Sequence, residues 1–162
     1  MIIEVEGDIL LSQAQVIVHG VAANDPMNQG LAKSLHEKLP TMHKEFHRWC
    51  HVQHPDPGTA WMWKSTDGVS IVNLITQEGG YGHGGRPGKA TVKNVSHALR
   101  ELKKLVKKEK FESIALPRLA TGVGGLEWKD VSPHVKEQLE DVGIPVYVYS
   151  TYRKGEKAKE SR

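Results

Sequence analysis

The sequence predicts an α/β protein: a three-layer α/β/α sandwich, with helices on both faces of a mixed central sheet. Two observations predict it. Short β-branched runs alternate along the chain with segments of helical period. Glycine-rich stretches fall where strand-like runs give way to helical ones. With 162 residues, 38% hydrophobic and 25% charged, the chain is expected to form one domain with its own core.

The elements follow in order. Residues 2–5 alternate apolar side chains with glutamate and end at Gly7-Asp8, a short strand into a turn. Residues 16–18 (Val-Ile-Val) form a buried strand, and Asn24-Asp25-Pro26 breaks the chain. Leu31, Ala32, Leu35 and Leu39 mark a helix over 29–39 closed by Pro40. A second helix is expected over 41–50, with Thr41 as its N-cap. Residues 59–64 and 69–75 flank Ser65-Thr66-Asp67-Gly68, a hairpin signature. A glycine loop over 79–88 precedes a long helix whose apolar face is Val92, Val95, Leu99, Leu102 and Val106. Its other face carries Lys93, Lys103, Lys104, Lys107 and Lys108, expected to be solvated rather than a nucleic-acid footprint. Residues 113–116 form a strand. Val131, Val135, Leu139 and Val142 mark another helix with Pro133 near its first turn, and residues 145–149 form the last strand. The charged tail, 153–162, is expected to be frayed and disordered beyond a domain spanning 1–152.

Composition excludes several classes. The single cysteine, Cys50, rules out an intramolecular disulfide and a cysteine-only zinc site, and suits a cytoplasmic location. The first residues lack a basic, apolar leader, and nothing approaches the roughly 20 apolar residues that span a bilayer. A net charge of +3 allows a phosphate-bearing ligand without marking a dedicated nucleic-acid binder.

Three glycine loops, 21–30, 77–88 and 120–126, stand where strands end and helices begin, the edge of an α/β sheet at which ligands bind. Glycine lets backbone amides approach a phosphate, and a helix amino terminus adds a favourable dipole. Tight turns without a ligand would have the same composition. A P-loop is excluded: Gly88-Lys89 would need glycine at His83 and a hydroxyl residue at Ala90. No G-x-G-x-x-G follows the first strand. A histidine-rich segment holds His43, His47, Cys50, His51 and His54. Its one-turn spacings could serve zinc, but the glutamate stands one place late for H-E-x-x-H. It is read as a surface helix remote from the glycine loops, with no metal.

Several stretches together resemble the macro domain, a family of ADP-ribose-binding modules. They are Gly7-Asp8-Ile9-Leu10, the run from Val16 to Asn24, Met27-Asn28-Gln29-Gly30-Leu31-Ala32, and Ala115-Leu116-Pro117-Arg118-Leu119 with the Thr121 to Trp128 loop. The pattern from His19 to Met27 is similar to the branch of terminal ADP-ribose glycohydrolases and ADP-ribose 1″-phosphate phosphatases. The resemblance implies ADP-ribose, or an ADP-ribosylated macromolecule, as the partner, and no cofactor. Nucleic acid enters only as an ADP-ribosylated substrate. It implies that Asp8 accepts from the adenine amino group beside the Ile9 backbone, and that Tyr152 stacks on adenine. Asn28, Gln29 and Gly30 on one side, with Thr121, Gly122, Val123, Gly124, Gly125 and Leu126 on the other, would hold the diphosphate and distal ribose. Asn24 would contact ribose hydroxyls.

The chain departs from that branch at two positions. Gln77 follows Ile75-Thr76 where the glycohydrolases carry a lysine, and Gly124 stands where they carry an aspartate. An amide is not a nucleophile and glycine supplies no acid or base. His19 matches a histidine of the phosphatase-like relatives and, with His83, is the candidate for acid–base chemistry on a 1″-phosphate. The expected function is ADP-ribose binding; the alternative is hydrolysis of ADP-ribosyl or 1″-phosphate substrates.

Overall fold

The computed structural model describes residues 1–79 and 87–160. His83 and the centre of its glycine loop lie outside the described residues. The elements are β1 (Ile2–Gly7), a 3-10 turn (Ile9–Leu11), β2 (Val16–Ala22), α1 (Gly30–Lys38), α2 (Pro40–Gln53), β3 (Ala60–Lys64), β4 (Ser70–Gln77), α3 (Val92–Glu109), β5 (Ile114–Pro117), α4 (Trp128–Leu139) and β6 (Val146–Tyr152). They form one six-stranded sheet in the order β1-β6-β5-β2-β4-β3. All neighbours run parallel except β3, which the hairpin folds antiparallel onto β4, with Lys64 opposite Ser70. The mixed three-layer sandwich is the architecture that the alternating pattern implies.

Both faces of the sheet are covered, and for that reason its central strands are buried along nearly their whole length rather than at alternate residues. Successive side chains of a strand point to opposite faces. Val16, Val18, Val72 and Leu74 pack with α3 and α4. Ile17, Val21, Ile71 and Ile75 pack on the other face with Leu35 of α1 and Met42, Phe46 and Cys50 of α2. The long helix buries Val95, Ala98, Leu99, Leu102 and Val106, and the Thr91 side chain caps it by accepting from the Asn94 amide.

Three expectations change. Helix α2 starts at Pro40 with Leu39 as its N-cap, so Thr41 lies inside it; the fixed φ of proline suits a first helical position. Pro133 falls in the second turn of α4, where the Lys129 carbonyl lacks its helical donor. For residues 153–160 the frayed tail is corrected to a docked segment. The Arg153 amide donates to the Gly7 carbonyl at 3.0 Å, and the Asp8 amide to the Glu156 carbonyl at 2.7 Å. Glu160 accepts from Ser12 Oγ at 2.5 Å, from the Gln13 amide at 2.9 Å and from Tyr149 Oη at 2.6 Å. The tail offers no apolar stripe, and a single carboxylate with several dispersed donors leaves no periodic signal.

Replacing Glu160 with alanine should therefore cost about 1–3 kcal/mol, the loss from leaving part-buried donors unpaired. Urea unfolding with an unchanged m-value checks it.

Candidate functional site

The polar end of the site is built at the carboxyl ends of β2, β4 and β5. His19 lies on β2 and is 2% exposed, and its Nε2 is 2.6 Å from Oδ1 of Asn73 on neighbouring β4. Asn73 Nδ2 points to Met42 Sδ at 3.7 Å, so Asn73 presents its oxygen and Nε2 of His19 carries the proton. Burial pushes the imidazole down to about 4, more than the Asn73 hydrogen bond and the Asp25 charge raise it. His19 is thus neutral at physiological pH, with Nδ1 an acceptor. Its one proton is held by Asn73, and the ring carries no second, imidazolium proton.

After β2 the chain turns sharply. The Asp25 carboxylate accepts from the Ala22 amide at 2.9 Å and the Met27 amide at 2.8 Å, an Asx turn that fixes the approach to α1. Helix α1 then opens at Gly30 with Gln29 as N-cap and no side-chain capping bond. Its first amides remain available to an anion. The start of α3 differs, because Thr91 caps it from within.

The second loop follows β5. Thr121 Oγ1 donates to the Arg118 carbonyl at 2.8 Å. The Gly125 and Leu126 amides donate to the Gly122 and Ala120 carbonyls at 3.1 and 3.0 Å. Those two amides are used within the turn, leaving Gly122, Val123 and Gly124 as the part that faces the cleft.

Between the loops lies a cavity of about 200 Å³, with His19 at its floor, Asn28, Gln29 and Gly30 on one wall and Gly122, Val123 and Gly124 on the other. Gly30, Leu31 and Pro117 also line a second, more apolar cavity of about 380 Å³ that includes Ile9, Leu10, Tyr149 and Tyr152. The two cavities are neighbours that share this wall, one at the polar and one at the aromatic end of the site. Tyr152 lines this second cavity and is 61% exposed. Asp8, Asn24, Thr121, Gly125 and Leu126 line neither cavity. Asp8 lies at the aromatic end, where its Oδ1 accepts from the Leu10 amide and its Oδ2 from the Gly155 amide, each at 3.0 Å. Asn24 Oδ1 is buried and has no hydrogen-bond partner among the described residues.

The family model for the Macro domain matches residues 18–135. The chain belongs to the macro domain family. Among curated relatives, a DNA ADP-ribosyl transferase–DNA ADP-ribosyl glycohydrolase fusion protein of Thermosipho africanus is 27% identical over 157 residues, covering 90% of this chain and 40% of that protein. A DNA ADP-ribosyl glycohydrolase of Mycobacterium tuberculosis is 26% identical over 147 residues, 87% of this chain and 40% of that protein. This macro domain thus spans about two fifths of those relatives. Among solved structures, the macrodomain of Thermus aquaticus DarG superposes with a TM-score of 0.81 at 24% identity, covering 93% of this chain and 98% of that one. Thermosipho africanus DarTG, solved in complex with ADP-ribose, gives 0.81 at 24% identity over 96% of this chain and 42% of that one.

In this macro domain the two departures have structural uses. Gln77 is 4% exposed and its Nε2 donates to the Gly88 carbonyl at 2.8 Å. A Cβ on Gly124 would stand 2.7 Å from the Ala120 carbonyl oxygen and 3.0 Å from Ala90 Cβ, so an acidic side chain does not fit without a backbone shift. Sequence reasoning missed the roles of Asp25 and Asn73. It also gave no role to Arg118, an exposed cation on the polar wall with its guanidinium 5.8 Å from the Trp128 ring centre. The Asp-Pro pair was the available signal for the Asx turn. Nothing local pairs His19 with Asn73, 54 residues later. Among the described residues, no three histidine, cysteine or acidic side chains converge as metal ligands, and no helix is long and apolar enough to cross a membrane.

His19 binds its proton less readily in the folded chain than in the unfolded one. Its contribution to stability is therefore present above pH 6.5 and lost as pH falls towards 4. NMR titration should find the His19 ring neutral down to about pH 5. In the Asn73→Ala variant, loss of the bond that raises it should push the titration lower still.

Proposed function

We propose that the cleft binds ADP-ribose, free or carried on a macromolecule, with adenine at the aromatic end and the diphosphate and distal ribose at the polar end. The observation that carries this reading is that two chemically different cavities adjoin at Gly30, Leu31 and Pro117, which line both. Few ligands need an aromatic-walled pocket and, next to it, an uncapped helix amino terminus facing a glycine loop. The ADP-ribose complex of a structural relative supports it.

Each end has its own chemistry. Tyr152 offers an exposed ring to adenine, a contact worth about 1–3 kcal/mol in related base stacking. Asp8 is already aligned by two backbone amides, and each oxygen keeps a lone pair for the adenine amino group. Ile9 lies beside it. At the polar end, amides at the start of α1 and along Gly122, Val123 and Gly124 face the diphosphate, with Arg118 adding positive charge. Nδ1 of His19 accepts from a distal-ribose hydroxyl, a binding role rather than the acid–base role. We place Asn24 behind the turn rather than against the ribose. Thr121, Gly125 and Leu126 keep the second loop in shape.

A second reading, removal of ADP-ribose from nucleic acid, is favoured by the relatives named DNA ADP-ribosyl glycohydrolases. It lacks a nucleophile here: Gln77 and Gly124 supply neither the lysine nor the carboxylate of that mechanism. Any residual hydrolysis would rest on a water oriented by the bound diphosphate.

Three outcomes test the proposal. ADP-ribose at a hundred times its dissociation constant should add about 2.7 kcal/mol of stability; AMP, lacking the second phosphate and ribose, should raise Tm less at equal concentration. An unchanged Tm at millimolar ADP-ribose refutes the site. Asp8→Asn should weaken both ligands by about 1.5–3 kcal/mol by calorimetry, because adenine is common to both. Borohydride treatment with ADP-ribose should trap no covalent adduct, as mass spectrometry would show; an adduct on a lysine would establish the second reading.

A further inference from the structure

The histidine-rich segment, expected to lie apart from the glycine loops, stands directly behind one of them. The rings of His36 on α1 and His43 on α2 stack with centres 3.8 Å apart and planes 19° apart. His47 follows His43 at 4.8 Å, and His51 follows His47 at 5.7 Å. This column runs alongside the turn that carries the chain from β2 into the polar wall of the cleft. His36 Nδ1 is 3.1 Å from the Met27 carbonyl oxygen. The Asp25 carbonyl faces His43 and the Asn24 carbonyl faces His47. The Nε2 atoms of His43 and His47 are buried and have no hydrogen-bond partner among the described residues. From the same helix, Cys50 Sγ accepts from the Asn24 amide at 3.2 Å.

The turn needs such support. Asn24 and Met27 both adopt left-handed backbone conformations, with φ of 55° and 51°. For methionine that conformation is sterically disfavoured, and it persists where the surroundings over-determine it. The Asp25 carboxylate fixes the turn from inside, through the Ala22 and Met27 amides. The histidines meet its carbonyls from outside. Asn28, Gln29 and Gly30 follow immediately.

We propose that His36, His43 and His47 are positioning residues for the ligand cleft: as a stacked column they hold the carbonyls of residues 24–27, and so set Asn28, Gln29 and the first amides of α1 against the ligand's phosphates. The column acts through the turn and touches no ligand. It works in its neutral form, since adjacent rings at these distances cannot all carry charge. The groups facing it are His51 from α2, which like its neighbours opposes protonation, and Asp25, which favours it. Burial, then the neighbouring histidines, holds His43 and His47 below the ordinary histidine range. The folded chain therefore binds fewer protons there than the unfolded one, and the column's support is lost as pH falls below about 6.5.

The inference rests on the reading of the cleft as an ADP-ribose site, and the test separates the two. His36→Phe keeps the stack and removes the donor to Met27; His36→Asn restores a donor with little added bulk. In ligand-free protein, hydrogen exchange of the amides in 24–30 should quicken in His36→Phe and return towards wild type in His36→Asn. By calorimetry, His36→Phe should weaken ADP-ribose about 5- to 10-fold, the value of one hydrogen bond. AMP, held mainly at the adenine end, should change less than about 2-fold. In wild type, ADP-ribose affinity should fall from pH 7.5 to 5.5, and less so in His43→Gln. Unchanged exchange in 24–30 overturns the proposal even if no ligand binds, whereas failure of wild type to bind ADP-ribose overturns only the reading of the cleft. Equal weakening of AMP and ADP-ribose marks a merely structural role and also overturns it.

Discussion

A central parallel sheet covered on both faces is the constraint on which the rest of this structure depends. All eight residues of β4 are buried, and β2 is buried along nearly its whole length. No polar ligand can reach such strands from the side. What remains open is the row of strand ends, where the ladder stops and backbone groups must find other partners. At the carboxyl ends of β2, β4 and β5 those partners are supplied by turns. The Asp25 carboxylate takes two amides, the second glycine loop closes on its own carbonyls, and Gln77 takes the Gly88 carbonyl. The groups these bonds leave over, chiefly at the start of α1 and in Gly122, Val123 and Gly124, form the polar wall of the cleft.

The same constraint explains what could be read in advance. A sheet buried on both faces demands β-branched runs, and a helix lying on it demands an apolar stripe. Those are periodic signals, so Val16-Ile17-Val18 and the Val95–Leu99–Leu102–Val106 face were legible. Glycine loops at strand ends were legible by composition, and the stretch around Thr121 to Trp128 by family likeness. Bonds between distant residues were not. Asn73 behind His19, Glu160 under Tyr149 and the His36–His43 stack each join separate segments through a side chain whose local sequence would suit solvent equally well. The histidine segment was misplaced for that reason: a column of imidazoles reads as surface until the fold sets a strained turn beside it.

The docked tail gives the aromatic end of the cleft its definition. Gly155 and Leu10 hold the two oxygens of Asp8 from opposite sides, and Glu160 holds the hydroxyl of Tyr149, whose affinity for its proton burial and that carboxylate both raise. Gly7 is the point of closest approach: a Cβ there would stand 2.7 Å from the Ala158 amide nitrogen. Its φ of +156° is one that L side chains rarely adopt, and the packed tail leaves no room for a side chain, so backbone and packing both require glycine. The aromatic end is therefore assembled from residues 7–10 and 149–160, joined through the β1–β6 pair.

The two positions at which glycohydrolase relatives resemble an enzyme are here committed to a single short segment. Gln77 donates to the Gly88 carbonyl and pairs with Ala90; the Gly124 carbonyl accepts from the Ala90 amide at 3.1 Å. Both residues thus pin residues 88–90, which lead from the first long glycine loop into α3. A lysine at 77 would lose the amide bond to Gly88, and an aspartate at 124 would drive against the Ala120 carbonyl and the Ala90 methyl. Neither change is local, because each disturbs the segment that the other holds. Backbone amides hold a ground state whether or not a nucleophile stands nearby, and a uniform gain in binding does not lower the barrier of the chemical step. The reading of the cleft as an ADP-ribose site therefore asks nothing of either residue beyond holding residues 88–90.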